Sequence, residues 1–307
     1  MPWRWKQGED IAKLEQEFSR FLGARHAVSF NSGRSSMMAI LRALNLKKGE
    51  EVLLQAFTCN AVPNPVLWEG LRPVYVDCRE DDFNMDADDL EKKITGKSRV
   101  VVVQHTFGMP ADMDRIEEVC RKHNLILLED CAHALGATYK GRLVGTFGKA
   151  SFFSFSRDKV ISSVYGGMAT TDDEELAERM RQFRKEIGYP SFLWILQQLH
   201  HVPVMNLLIL PTYGVLGKYL LVLFQRLRVL SKAVHWLEKR GRKPAYFPKA
   251  LPNALATLAL RQFKKLEYFN ARRKELAAFY KRELRGTDYV LPEEFDGRES
   301  IFLRFPV

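Results

Sequence analysis

One lysine stands where it can act as a nucleophile. Ser154-Phe155-Ser156-Arg157-Asp158-Lys159 follows an apolar run, Ala150-Ser151-Phe152-Phe153, and Val160-Ile161-Ser162-Ser163 comes after it. Gly166-Gly167 then opens another strand-like run, Met168-Ala169-Thr170-Thr171. On a short turn between buried strands, desolvation favours a neutral amine, which forms Schiff bases with carbonyl compounds. A turn lysine taken alone is more often simply solvated, so its neighbours must decide. Asp130 ends an apolar run, Leu125-Ile126-Leu127-Leu128-Glu129. A carboxylate there can hold a protonated ring nitrogen, or serve as a cap or structural ion pair. His133 could donate to a ligand oxygen, although a lone histidine is usually structural. Ser32-Gly33-Arg34-Ser35 offers small residues and outward amides to a phosphate at a helix start. The same residues read as an ordinary N-cap. Ser154 could hold that phosphate or only bond its strand neighbours.

These residues need a scaffold that brings them together, and the pattern supplies one. Glu9 to Phe21 reads as a helix, with Ile11, Leu14, Phe18 and Phe21 on one face and Gly23 as its stop. Strands are expected at His26–Phe30, Glu51–Phe57, Pro73–Asp77, Arg99–His105 and Leu125–Asp130. Helices are expected at Met37–Leu44, Asp86–Ile94 and Asp112–His123, with Asn31 to Ser36 as a turn. Such alternation means an α/β fold with a mostly parallel sheet sandwiched by helices. Ligands of such sheets sit at the carboxyl ends of the strands, where Ser32–Ser35, Asp130 and Ser154 with Lys159 all fall. A phosphate cradle, a carboxylate, a histidine and a lysine are what pyridoxal 5′-phosphate (PLP) needs. No metal is required.

The chain resembles the DegT/StrS-type family of PLP-dependent nucleotide-sugar aminotransferases, from about Ala12 to Gln182 and again from about Leu255. Phe83-Asn84-Met85-Asp86, the run Gln104 to Asp114 (QHTFGMPADMD), the run Glu129 to Ala137 (EDCAHALGA), Gly145 to Ala150 (GTFGKA) and Phe153 to Lys159 are similar to its motifs. The resemblance implies the PLP type I fold and a homodimer. By position it implies that Lys159 forms the Schiff base, that Asp130 pairs with the pyridine nitrogen and that His133 lies near the ring. Gly33, the Arg34 amide, Ser35 and Ser154 would hold the phosphate. The implied reaction carries an amino group from an amino acid, usually glutamate, to a nucleotide-linked keto sugar. The alternative is a PLP-binding protein of the same fold without transferase activity. The family's dehydratase branch has His in place of the lysine, and Lys159 argues against it.

Three departures stand out. Cys59 occupies the place of an aromatic residue that stacks on the cofactor in many members. Tyr165 replaces a common Glu before Gly166-Gly167. The stretch Pro248-Lys249-Ala250-Leu251-Pro252-Asn253 lacks the family's Asn-x-Arg motif. A long helix is expected from Asn253 to Leu284, and Tyr289-Val290-Leu291 and Ile301 to Val307 read as strand starts. This gives a large domain over 1–247, with an apolar insert at about 187–245. It is followed by a partial, apparently truncated α+β domain over 248–307.

The net charge of +10 suits anionic ligands, and without an RNA-binding or zinc-finger pattern nucleic acid is not among them. Cys59, Cys78, Cys120 and Cys131 have neither paired nor metal-ligand spacing. The residues Met1 to Lys6 lack a signal-peptide core, so a cytoplasmic protein is expected. Between Ile187 and Gly217 there is no Asp, Glu, Lys or Arg, and Pro190, Pro203 and Pro211 divide the stretch into pieces too short to span a bilayer. Arg226, Arg228, Lys232, Lys239, Arg240, Arg242 and Lys243 follow, against Glu238 alone. Residues 190–225 are either a peripheral membrane contact or a helical insert packed on the body or between subunits.

Overall fold

The structure is a computed structural model that describes residues 4–227, 229–232 and 234–307. Met1, Pro2 and Trp3 of the expected amino-terminal reading and Arg228 of the basic stretch lie outside the described residues. Seven strands form one sheet: β1 (His26–Phe30), β2 (Glu51–Gln55), β3 (Arg72–Val76), β4 (Ser98–Gln104), β5 (Ile126–Asp130), β8 (Ala150–Ser154) and β9 (Gly167–Thr171). Their order is β1-β9-β8-β5-β4-β2-β3, and β9 alone runs against the others. The short β6 (Thr138–Tyr139), β7 (Arg142–Leu143) and β10 (Arg298–Glu299) make a second, antiparallel sheet.

The valine run of β4 shows why the sheet is covered on both sides. Val101 and Val103 enter one core with Leu14, Phe18 and Phe153, while Val100 and Val102 enter another with Met37 and Ile40. Side chains alternate across a strand, so four consecutive valines serve two cores. Helices α1 (Glu9–Leu22), α2 (Gly33–Ala43), α3 (Pro63–Trp68), α4 (Ala87–Lys93), α5 (Met113–Lys122) and α6 (Glu174–Ile187) accompany these strands. Gly23 ends α1 in the left-handed conformation expected of it, φ 76°.

The structure corrects the sequence reading in four places. The turn expected over Asn31–Ser36 is largely the first turn of α2, because extended Ser32 caps the Ser35 amide with its side chain at 3.0 Å. The single helix expected over Asn253–Leu284 is two, α9 (Asn253–Phe263) and α10 (Leu266–Glu283). Their break lets Phe263 stack on Phe18 while Leu266 is buried three residues later. Neither Tyr289–Leu291 nor Ile301–Val307 is a strand. Instead, the Ile301 amide donates to the Gly108 carbonyl and the Arg304 amide to that of Phe107. Finally, Pro203 lies inside α7 (Phe192–Val204), which continues as a π-helical turn to Ile209. Pro203 lacks only one backbone donor, and the run is not divided there. Helix α8 (Lys218–Arg226) follows a second π-helical turn, Tyr213–Gly217.

Candidate active site

Adjacent strand ends bring the expected residues to one cavity of about 370 Å³. Gly33, Arg34, Asp130, His133, Ser154 and Lys159 all line it. Asp130 is the last residue of β5, in register with Gln104 of β4 and Phe152 of β8. Lys159 sits on the turn after β8, with its side chain 13% exposed. Its Nζ lies 2.8 Å from His133 Nε2 and 3.8 Å from Asp158 Oδ2.

Burial, followed by the charge of Lys159, depresses the His133 imidazolium to a pKa of about 3, so the ring is neutral. Against an ammonium at Lys159, Nε2 is the acceptor and Nδ1 carries the hydrogen. That Nδ1 is buried and has no acceptor among the described residues. Burial also pushes the Asp130 carboxyl above its ordinary range, with the Ala132 amide and then Lys159 opposing that shift. A buried carboxylate that wants a cation and a buried donor that wants an oxygen therefore face one cavity.

Close packing shapes the phosphate end. A side chain at Gly167 would meet the Ser32 carbonyl carbon at 2.4 Å and the Gly33 nitrogen at 2.5 Å, so this glycine lets the start of α2 approach β9. Gly33 in turn lies against Ser154, where an added Cβ would sit 3.0 Å from the serine's own. First-turn amides of a helix have no intrahelical acceptor, which suits Gly33 and Arg34 to an anion. Ser35 is fully buried and does not line the cavity. Its hydroxyl donates to Asn31 Oδ1 at 2.7 Å and its amide to Ser32, so Ser35 secures the cap. The Arg34 guanidinium pairs with buried Glu238 and lies over the Phe247 ring.

Several lining residues carried no signal that singled them out. Phe57 and Phe107 pack edge to face, and Phe107 lies parallel to the His133 ring at 6.5 Å. They present aromatic surface beside Cys59, where the family's stacking residue is absent. Thr58 Oγ1 donates to Gln104 Oε1 at 2.6 Å, and Gln104 Nε2 donates to Thr106 at 3.1 Å, fixing a polar wall. Arg304 enters the cavity wall from the segment held by Phe107 and Gly108. Tyr165, in the place of the family's Glu, donates its hydroxyl to the Lys232 carbonyl at 2.6 Å.

A second cluster, His105, Glu129 and Cys131, is also buried. Its histidine and carboxylate atoms are already committed. His105 Nδ1 accepts the Ala111 amide, so Nε2–H donates to Glu129 at 3.2 Å. The Glu129 oxygens also accept the amides of Gly145, Phe147 and Gly148. This network pins the 145–148 turn behind Asp130. Burial pushes the Cys131 thiol up, as expected of a packed side chain.

A lysine, an acid and a helix-start cradle on the strand ends of this mostly parallel sheet define a PLP type I fold. The chain belongs to the DegT/DnrJ/EryC1/StrS aminotransferase family, whose pattern matches residues 3–190 and 232–307. It is 39% identical to GDP-perosamine synthase of Caulobacter vibrioides over 182 residues, 59% of this chain and 49% of that protein. The chain thus spans about half the length of such curated relatives. It is 30% identical to a UDP-N-acetyl-3-dehydro-alpha-D-glucosamine 3-aminotransferase of Acidithiobacillus ferrooxidans, over 98% of this chain and 69% of that one. The structure of DesV from S. venezuelae superposes with a TM-score of 0.74 at 27% identity, covering 98% of this chain and 69% of DesV. PLP is the cofactor of this family, and the buried Asp130 carboxyl and the His133 Nδ1, without a partner among the described residues, fit it.

Proposed function

We propose that the protein is a PLP-dependent aminotransferase that moves an amino group from glutamate to a nucleotide-linked keto sugar. The observation that carries this reading is Lys159, against His133 and in one cavity with Asp130. Asp130 would hold the ring nitrogen, the Gly33 and Arg34 amides with Ser154 the phosphate, and His133 a ring oxygen. PLP held there would supply an electron sink for the carbon that loses a proton. Lys159 Nζ is the base that takes the proton from the donor's α-carbon and later returns one to the product side. Neutral His133 keeps that amine oriented without competing for its proton. The second half-reaction reuses the same groups on the sugar ketone.

Arg304 supports an α-amino acid as donor. Its Nη2 and the Lys159 Nζ contact the same oxygen, Asp158 Oδ2, at 3.2 Å and 3.8 Å. A carboxylate near Lys159 therefore meets a guanidinium one contact further on. An α-amino acid carries its nitrogen and carboxylate on one carbon and matches that separation. The Arg304–Asp158 pair is about half exposed and thus weak, so a donor carboxylate can replace Asp158. The test incubates the protein and PLP with glutamate and a panel of nucleotide-linked keto sugars, following 2-oxoglutarate. Turnover with at least one sugar is expected, and Arg304→Gln should raise the half-saturating glutamate concentration about tenfold or more. No turnover with any of the sugars overturns the reading, whereas unchanged glutamate dependence in Arg304→Gln overturns only the donor contact.

Residues 1–247 form the cofactor-binding unit in this reading, and 248–307 belong to a second, smaller one. The active form is a homodimer, since closed twofold assemblies are the commonest and the site opens at the surface. Sedimentation at assay concentrations should give twice the chain mass, and a fully active single chain excludes the dimer. The enzyme works in the cytoplasm, with peripheral membrane contact through residues 190–225.

A further inference from the structure

Residues 191–231 fall outside the family pattern, so the family says nothing of their role. They begin docked and become exposed. The Phe192 ring stacks on Trp5 at 5.0 Å, and the Trp194 ring meets Tyr165 edge-on at 5.3 Å. Ile195 and Gln198 are buried, with Gln198 Oε1 accepting from Ser231 at 2.6 Å. Ile209 is buried too, but most of the other large apolar side chains of the segment turn outward. Leu193, Leu207, Leu210, Val215, Leu216 and Tyr219 are each more than half exposed, and α8 has no buried residue. A soluble surface rarely leaves so many large apolar side chains of one segment uncovered.

Charge decides what covers it. Residues 188–245 hold eight Lys or Arg and one acid, which is seven of the chain's ten net positive charges. The acid, Glu238, is buried against Arg34 and offsets nothing at the surface. Lys218, Arg226, Lys232, Lys239, Arg242 and Lys243 are exposed. Trp236 is 56% exposed under the Arg240 guanidinium, the pairing of a water–lipid boundary. A twofold contact with a second copy would set this cationic region against itself, whereas acidic headgroups complement it. Spanning is excluded by attachment. Phe192–Ile209 is long and apolar enough to cross a bilayer, but its first turns would have to leave Trp5, Tyr165 and Ser231.

We propose that residues 192–227 lie in the plane of an anionic phospholipid surface, with their apolar edge inserted and Lys218, Arg226, Lys232, Lys239, Arg242 and Lys243 on the headgroups. This deepens the membrane contact named above and does not depend on the reaction.

The test is flotation with vesicles of phosphatidylcholine alone or mixed with phosphatidylglycerol. Wild-type protein should float with the mixed vesicles and lose them at high salt. Leu207→Asp with Leu216→Asp, and separately Lys239→Gln with Arg242→Gln and Lys243→Gln, should each bind at least tenfold more weakly. Unchanged circular dichroism and unchanged PLP attachment show that each variant is folded. Wild-type protein that stays unbound overturns the proposal. So does an oligomer that the Asp variant dissociates while wild-type protein ignores lipid, since the cover is then a second copy. Turnover is read in none of these arms, so their failure leaves the aminotransferase reading standing.

Discussion

Lys159→Ala should abolish amino transfer, by at least about three orders of magnitude, and leave a folded protein. Among the described residues lining the cavity, Lys159 carries the sole amine. Its Nζ lies 2.8 Å from His133 Nε2, and in the proposed reading both attachment of a carbonyl cofactor and proton transfer rest on it. The fold does not rest on it. Among the described residues its side-chain polar contacts are one neutral imidazole and the half-exposed Asp158, and neither His133 nor Asp158 lies in a strand. The check is borohydride treatment of the PLP-loaded protein, digestion and mass spectrometry. Wild-type protein should carry a pyridoxyl group on the Lys159 peptide, while Lys159→Ala and Lys159→Arg should carry none. Lys159→Arg keeps a cation beside Asp158, so its thermal unfolding should match wild type. A wild-type adduct on another lysine would refute the assignment.

The strand ends were legible in the sequence because buried parallel strands announce themselves as unbroken apolar runs. Val100 to Val103 and Leu125 to Leu128 admit few other readings, and Asp130 is placed by where the second run stops. The ends of helices were less legible. Whether Gly33 to Ser36 is turn or helix depends on the Ser32 side chain and on close approach to Gly167, a contact across more than a hundred residues. The break between α9 and α10 is likewise tertiary, since Phe263 finds Phe18 and Phe21 from the far end of the chain. Arg304 was hidden for a related reason. Nothing in Phe302-Leu303-Arg304-Phe305 marks a site residue, and only the docking of that segment on Phe107 and Gly108 brings the guanidinium to the cavity. The insert was ambiguous because composition cannot say which side of an apolar helix is covered. Ile195 turned inward and Leu207 outward, though both sit in equally apolar runs.

Asp130→Asn should keep PLP in the cavity yet lower transamination by about two to three orders of magnitude, because the electron sink needs a protonated ring nitrogen. The substitution preserves shape and an oxygen for the Ala132 amide, which lies 2.9 Å from Asp130 Oδ1. What it removes is the charge. In the protein without cofactor that charge is a liability. Burial raises the Asp130 pKa above its unfolded value, so the folded state binds the proton more tightly. The stabilisation linked to that proton is complete below the unfolded pKa, and it is lost as pH rises through the folded pKa. Cofactor-free wild-type protein should therefore be less stable relative to Asp130→Asn at a higher pH than at about pH 4, close to the unfolded carboxyl pKa. A protonated ring nitrogen supplies the missing cation, so PLP should reverse the order and stabilise wild type more than the variant. The measurement is thermal unfolding of both proteins at the two pH values, with and without PLP. An Asn variant that turns over normally, or that gains as much stability from PLP as wild type, would make Asp130 a structural residue.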